Sequence, residues 1–115
     1  MKVTRLGDAR PYSAPKHLDV ASLRLQGLEA TPAGFCSVGL SYYLPGGKAE
    51  MSAGPQEKIY VVIEGELTVE LAGGETAVLR RLDSCLIEAG EAREVRNETN
   101  QVATLLVVMP APQPS

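Results

Sequence analysis

Tryptophan is absent, Phe35 is the only phenylalanine and His17 the only histidine in this chain of 115 residues. With so few large rings, Val, Leu and Ile must fill any core, and those side chains favour strands over helices. The two cysteines, Cys36 and Cys85, lie far apart and form no CxxC pair, so neither a zinc motif nor a redox motif is present. Both read as free thiols in a reducing compartment, Cys85 as an inert buried one among apolar neighbours. No apolar run approaches the roughly 18 residues of a membrane-spanning helix. The first ten residues, Met1 to Arg10, lack the apolar stretch of a secretory leader. At a formal net charge of −3, with no cluster of Lys or Arg, nothing would track a phosphate backbone. Membrane, export and nucleic-acid roles are therefore disfavoured, and a cytoplasmic location is expected.

What is present is the composition of an ordinary globular protein, 44% hydrophobic and 22% charged, at the length of one domain. Residues 1–21, with Pro11 and Pro15, read as an N-terminal arm holding at most a short edge strand. Leu23 and Leu25 alternate with Arg24 and Gln26, which predicts a half-buried strand over Ser22 to Leu28. Phe35 to Leu44 is the next apolar run, and Pro45-Gly46-Gly47 should end it. Lys58 to Ile63 and Val102 to Met109 are apolar on both alternating sets, whereas Leu67, Val69 and Leu71 oppose Glu66, Thr68 and Glu70. Gly73-Gly74 marks a two-residue hairpin into Thr76 to Leu79, because both positions tolerate positive φ. Ser84 to Glu88 and Arg93 to Asn97 supply further strands. Residues 22–109 then form a barrel, and the proline-rich tail 110–115 should be disordered. About eight short strands with Gly and Pro turns predict an all-β antiparallel barrel or jelly roll.

The segment PGGKAEMSAGPQEKIYVVIEGELTV, Pro45 to Val69, resembles the first motif of the cupin superfamily, G(X)5HXH(X)3-4E(X)6G. Gly46 and Gly65 keep the frame, while Ser52 and Gly54 stand at the two histidine positions and Lys58 at the glutamate. The second motif, G(X)5PXG(X)2H(X)3N, lies over Leu82 to Asn97, with Gly90 and Asn97 matching and Arg93 at the last histidine. The resemblance spans about residues 38–109 and implies a jelly-roll barrel, the double-stranded β-helix, with every metal-ligand position substituted. Lys and Arg offer donors only, and His17 alone cannot rebuild the site, so no metal and no cofactor is expected.

By the resemblance the glutamate position points into the barrel, and strand periodicity then puts Lys58, Tyr60 and Val62 on that side. Arg93 and Asn97 would join them. The ligand-binding candidates are thus Ser52, Lys58, Tyr60, Arg93 and Asn97, and the ligand a small anionic, carboxylate-bearing metabolite held by Arg93 in bidentate fashion and by Lys58 as a point charge. The bland alternative pairs Lys58 and Arg93 with Glu50 or Glu88. An enzymatic alternative makes Tyr60 or Lys58 the proton-transfer group of a lyase or isomerase, and a third makes the domain purely structural. His17 reads as a lone surface histidine, with the alternative of an acid or base reaching over the barrel mouth, and only one of Tyr42 and Tyr43 can face inward. Strands apolar on both faces lead us to expect a homodimer.

Overall fold

The computed structural model describes residues 1–111, so the expected disorder of the tail falls, beyond Ala111, outside the described residues. After a single 3₁₀ turn at Leu6–Asp8 the chain runs through β1 (Arg10–Tyr12), β2 (His17–Gln26), β3 (Cys36–Ser52), β4 (Lys58–Glu64) and β5 (Leu67–Leu71). It continues through β6 (Thr76–Leu79), β7 (Ser84–Ile87), β8 (Arg93–Arg96) and β9 (Ala103–Pro110). All strand pairings are antiparallel, in the order β6-β5-β8-β3-β9-β4-β7, with β2 on β3 and β1 on β2. The result is a nearly closed jelly-roll barrel, as the strand pattern predicts.

Three boundaries differ from the sequence reading. Pro45-Gly46-Gly47 does not end the third strand: β3 passes through it and changes partner, from β9 over Cys36 to Tyr43 to β8 over Lys48 to Ser52. The segment is a corner between the two sheets of the barrel. Gly46 takes φ 81°, and a Cβ on Gly47 would collide with the Asp19 carbonyl oxygen of β2. The second strand starts at His17, inside the arm, and Pro110 pairs with Cys36 as the last residue of β9. Sequence pattern marks a Gly-Pro break but cannot tell a turn from a corner, since both need the same φ freedom. The Gly73-Gly74 hairpin forms as expected, with Leu67 opposite Leu79, Glu70 opposite Thr76, and Gly74 at φ 99°.

Tyr43, Val62, Leu67, Val95 and Leu105 form the centre of the core, each at most 2% exposed. Along the first half of β3 the usual polarity is inverted. Ser37, Gly39 and Ser41 point inward and are buried, while Val38, Leu40 and Tyr42 point outward and are only half-buried. Leu106 and Val108 of β9, and Ile59 and Val61 of β4, continue that outer face, since Leu40 lies opposite Leu106 and Val61 opposite Leu106 in turn. One end of the barrel thus has a polar interior and an apolar exterior.

Asn97 fastens the corner. Its side-chain amide donates to the carbonyls of Tyr43 (3.0 Å) and Gln101 (2.7 Å), and its Oδ1 accepts from the Thr99 backbone N–H and hydroxyl. Its backbone exchanges hydrogen bonds with Gly46 and Gly47. Because Asn97 is 2% exposed, Asn97→Ala leaves a buried Tyr43 carbonyl without its donor. The expected loss is about 1–3 kcal/mol of stability, read from urea denaturation with an unchanged m-value.

Candidate functional site

The two sheets enclose a cavity of about 530 Å³ at the polar end of the barrel. One wall comes from β4, where strand alternation sends Lys58 and Tyr60 inward; the facing wall comes from β8 and the second half of β3, where Arg93 lies opposite Ser52. His17, at the start of β2 and opposite Ala49, lines the same space. Of the two adjacent tyrosines Tyr43 is the interior one, at 2% exposure.

Arg93 is 6% exposed and spans the barrel. Its Nε–H donates to the Tyr60 hydroxyl at 2.6 Å, and its Nη1 donates to the Glu50 backbone carbonyl and the Ser52 hydroxyl at 3.2 Å each. Every one of these partners is neutral. Among the described residues neither Arg93 nor Lys58 forms an ion pair; Glu50 offers Arg93 its backbone and not its carboxylate, and Glu88 pairs with neither. Nη2 makes no protein hydrogen bond among them and is left to the cavity. The Lys58 ammonium sits beside Gly54, where a Cβ would come within 3.4 Å of it. A larger residue there would crowd the amine.

Burial lowers the pKa of Lys58, and the nearby Arg93 charge lowers it further. Burial raises that of Tyr60, against an opposing pull from Arg93. His17 is lowered chiefly by burial, with Arg93 and Lys58 adding to it against the hydrogen bond to Pro15. Hydroxyls complete the lining: Ser22 and Ser41 share a buried hydrogen bond of 2.8 Å, and Ser37 lies on the same face. Tyr12 of β1 closes the side over Gly39, its ring stacked on the Arg24 guanidinium at 3.8 Å. No Asp or Glu lines this cavity among the described residues.

The structure therefore brings Ser52, Lys58, Tyr60 and Arg93 to one cavity and keeps Asn97 out of it, its amide consumed by the corner. Tyr12, Arg24 and the three serines are cavity residues that the sequence reading did not place there, and His17, which it put on the surface with the barrel mouth as the alternative, lines the cavity. The serines carried a signal, a polar set alternating with an apolar one along Ser37 to Ser41, that reads as inward only once a polar interior is known.

These donors do not fit a divalent cation. The positions that would present imidazoles and a carboxylate present a hydroxyl, no side chain, an ammonium and a guanidinium, and two cations would repel the metal. Among the described residues no three His, Cys, Asp or Glu side chains gather anywhere as a metal set. Dialysis of the purified protein against EDTA should leave its melting temperature unchanged, and elemental analysis should find less than a tenth of an equivalent, roughly, of any transition metal; one retained equivalent would contradict the donor argument.

The family model for the cupin domain matches residues 39–109. Over 112 residues the chain is 46% identical to a protein named β-D-galactosidase Rv1717 from Mycobacterium tuberculosis, covering 97% of this chain and 96% of that one. Among solved structures, the polyketide cyclase RemF from Streptomyces resistomycificus superposes with a TM-score of 0.86 at 20% identity, over 100% of this chain and 82% of the other. A sugar phosphate isomerase of the cupin superfamily from Silicibacter pomeroyi gives 0.77 at 24% identity, over 94% of this chain and 74% of its own. Likenesses at these low identities speak for the fold alone.

Proposed function

The chain belongs to the cupin domain family, and from that premise we propose that its larger cavity is a metal-independent binding site for a small, polar organic anion, with a carboxylate or phosphate against Arg93 and Lys58. The observation that carries this is a guanidinium 6% exposed with only neutral partners. A buried cation without a counter-ion is costly to hold, and an anion in the cavity offsets that cost. The serine and tyrosine hydroxyls around it suit a ligand rich in hydroxyl groups, and a volume of about 530 Å³ lies within the usual range for small-molecule sites.

Lys58→Met and Arg93→Met separate recognition from structure in a thermal-shift screen of inorganic phosphate, citrate, sugar phosphates and sugar acids. Each loses a charge-assisted bond to the anion, about 1.5–3 kcal/mol or roughly ten- to a hundredfold in affinity. Lys58→Met should melt no lower than the parent without ligand, since it relieves repulsion from Arg93 and breaks no ion pair. Arg93→Met loses its bonds to the Tyr60 hydroxyl, the Glu50 carbonyl and the Ser52 hydroxyl but also removes the uncompensated charge, so its lost response to anions is the readout and not its unliganded melting temperature. A marked loss of stability in Lys58→Met, with no stabilising anion in the panel, would overturn the reading.

The mycobacterial relative favours a second reading, hydrolysis of β-D-galactosides. Glycosidases ordinarily flank the scissile bond with two carboxylates. The larger cavity offers none among the described residues, whereas Glu75, Glu88 and Glu91 surround a smaller one of about 240 Å³ near Cys85. Release of nitrophenol from 4-nitrophenyl β-D-galactopyranoside tests the activity. Loss of turnover in Tyr60→Phe places it at the larger cavity, and loss in Glu91→Gln at the smaller one.

A homodimer is the assembly we propose, with the outer face of Leu40, Leu106, Val61 and Ile59 buried against its two-fold mate. Ile59 is 44% exposed on that face, and a two-fold axis lets one apolar patch bury itself against its own copy. Light scattering at micromolar concentration should give the dimer mass, and Ile59→Lys with Leu40→Lys the monomer mass. A monomeric parent would refute it.

A further inference from the structure

The anion reading leaves one cavity group without a task. His17 is held by an unusual stretch of backbone: Lys16 before it has φ 60° and Asp19 beyond it φ 55°, left-handed conformations that are uncommon for residues with a Cβ. The pairing of β2 with β3 slips between Leu18 and Val20, and the bare Cα of Gly47 lets the Asp19 carbonyl approach the β3 corner. Such strain persists only where surrounding structure enforces it, and it tends to gather at working sites. The ring itself is fixed. Its Nδ1 lies 2.8 Å from the Pro15 carbonyl oxygen, an acceptor only, so Nδ1 carries the proton and Nε2 the lone pair.

The charged and titratable groups that line the cavity with this ring come from several elements: Lys16 beside it, Lys58 and Tyr60 on β4, Arg93 on β8, Arg24 on β2, Tyr43 on β3 and Tyr12 on β1. All are cations or phenols. Burial, with Arg93 and Lys58 adding to it against the Pro15 hydrogen bond, lowers the His17 pKa and so favours the uncharged base. Tyr60 is its complement. The hydroxyl oxygen accepts the Arg93 Nε–H, which leaves its own proton free to be given to a ligand, and the guanidinium beside it stabilises the phenolate that results.

We infer that the cavity catalyses β-elimination on a carboxylate whose neighbouring carbons carry a hydrogen and an oxygen substituent, with His17 as the base and Tyr60 as the acid. This rests on the anion reading, because Arg93 and Lys58 must hold the carboxylate. The C–H bond next to the carboxylate breaks, its proton passing to Nε2 and its electron pair spreading onto the carboxylate oxygens beside the two cations. That pair then forms the carbon–carbon double bond as the β carbon–oxygen bond breaks. The departing oxygen keeps the electrons of its bond and takes the Tyr60 proton. The phenolate recovers a proton from the imidazolium through water, so both groups return to their starting states and no oxidant or metal is consumed. Sugar acids, aldonates and uronates, have this arrangement and the hydroxyl content that the serine-lined wall suits.

D-galactonate and D-galacturonate in D₂O, followed by proton NMR with the intact protein, provide the test, with thermal shift as the binding control. The expected result is stabilisation by one or both acids, loss of the proton signal at the carbon beside the carboxylate, and release of an unsaturated or keto product. His17→Asn should slow the loss of that proton by on the order of 10²-fold or more, while Tyr60→Phe should exchange it for deuterium without elimination. Binding with neither loss of the hydrogen beside the carboxylate nor release of product in the parent overturns the elimination and leaves the anion site standing. Proton loss that survives in His17→Asn but is abolished in Lys58→Met transfers the base to Lys58 and overturns the assignment. Absence of binding by either acid removes the substrate class. Nitrogen-15 NMR of the unliganded parent checks the base without any substrate: the ring should be protonated at Nδ1 and titrate below 6.5, and an Nε2-protonated ring overturns its role.

Discussion

The hydrogen bond from Arg93 to Tyr60 joins the two sheets of the barrel across its interior, and the arrangement of the polar end depends on it. Arg93 stands on the β8–β5–β6 side of the strand order and Tyr60 on the β9–β4–β7 side, with β3 bending between them. A guanidinium long enough to cross keeps the sheets apart at this end, where an aliphatic pair would draw them together and fill the gap. The other end has no such spacer. There Leu67, Leu79, Val95 and Val62 close on one another as an ordinary apolar core. The cavity is thus the space left by a charge that must stay solvated or bound, and apolar packing beneath supplies the stability that such a charge does not.

Inverted polarity in β3 follows from the same constraint. A wall facing a buried guanidinium and ammonium needs hydroxyls and small residues, which Ser37, Gly39 and Ser41 provide. Strand alternation then sends Val38 and Leu40 outward, so the polar interior and the apolar exterior are one fact of period-two geometry. Sheet β1–β2–β3–β9–β4–β7 has inner positions devoted to a ligand-sized space and outer positions devoted to another surface, which is why Lys58 to Ile63 looks apolar on both sides in the sequence. Its inner set carries Lys58 and Tyr60 to the cavity and Val62 to the core, while its outer set of Ile59, Val61 and Ile63 remains partly exposed.

Much of this was legible from residues alone, and the failures have physical causes. The convergence of Lys58, Tyr60 and Arg93 followed from strand alternation once the resemblance to the two cupin motifs had set the Lys58 and Arg93 positions inward. The Gly73-Gly74 hairpin followed from local φ demands. Asn97 matched its motif position, but its side chain serves the corner between Tyr43 and Gly47, a role that depends on contacts distant in sequence. His17 was read as a surface residue because nothing local distinguishes an arm from a strand that starts with a left-handed residue at Lys16. Its place opposite Ala49 is set by pairing across more than thirty positions, roughly, of intervening chain, and such register is not encoded within either segment. The corner at Pro45 to Gly47 was misread as a strand end for the same reason.

Replacement of the metal ligands at this site does not discharge it. A divalent cation on imidazoles and a carboxylate brings positive charge to the barrel centre; Lys58 and Arg93 bring two unit positive charges to the same positions without any ion. What changes is the chemistry available. A metal offers open coordination sites and draws electrons strongly from a bound oxygen, whereas an ammonium and a guanidinium offer only hydrogen bonds and charge. Acid–base work must then come from separate side chains, and the only imidazole in the protein lies against this cavity, its Nδ1 tied to Pro15 and the pKa depressed. A site that keeps the charge of a metal and adds a neutral base beside it is suited to carry developing negative charge on a carboxylate, and ill suited to redox chemistry or to activating water at a metal.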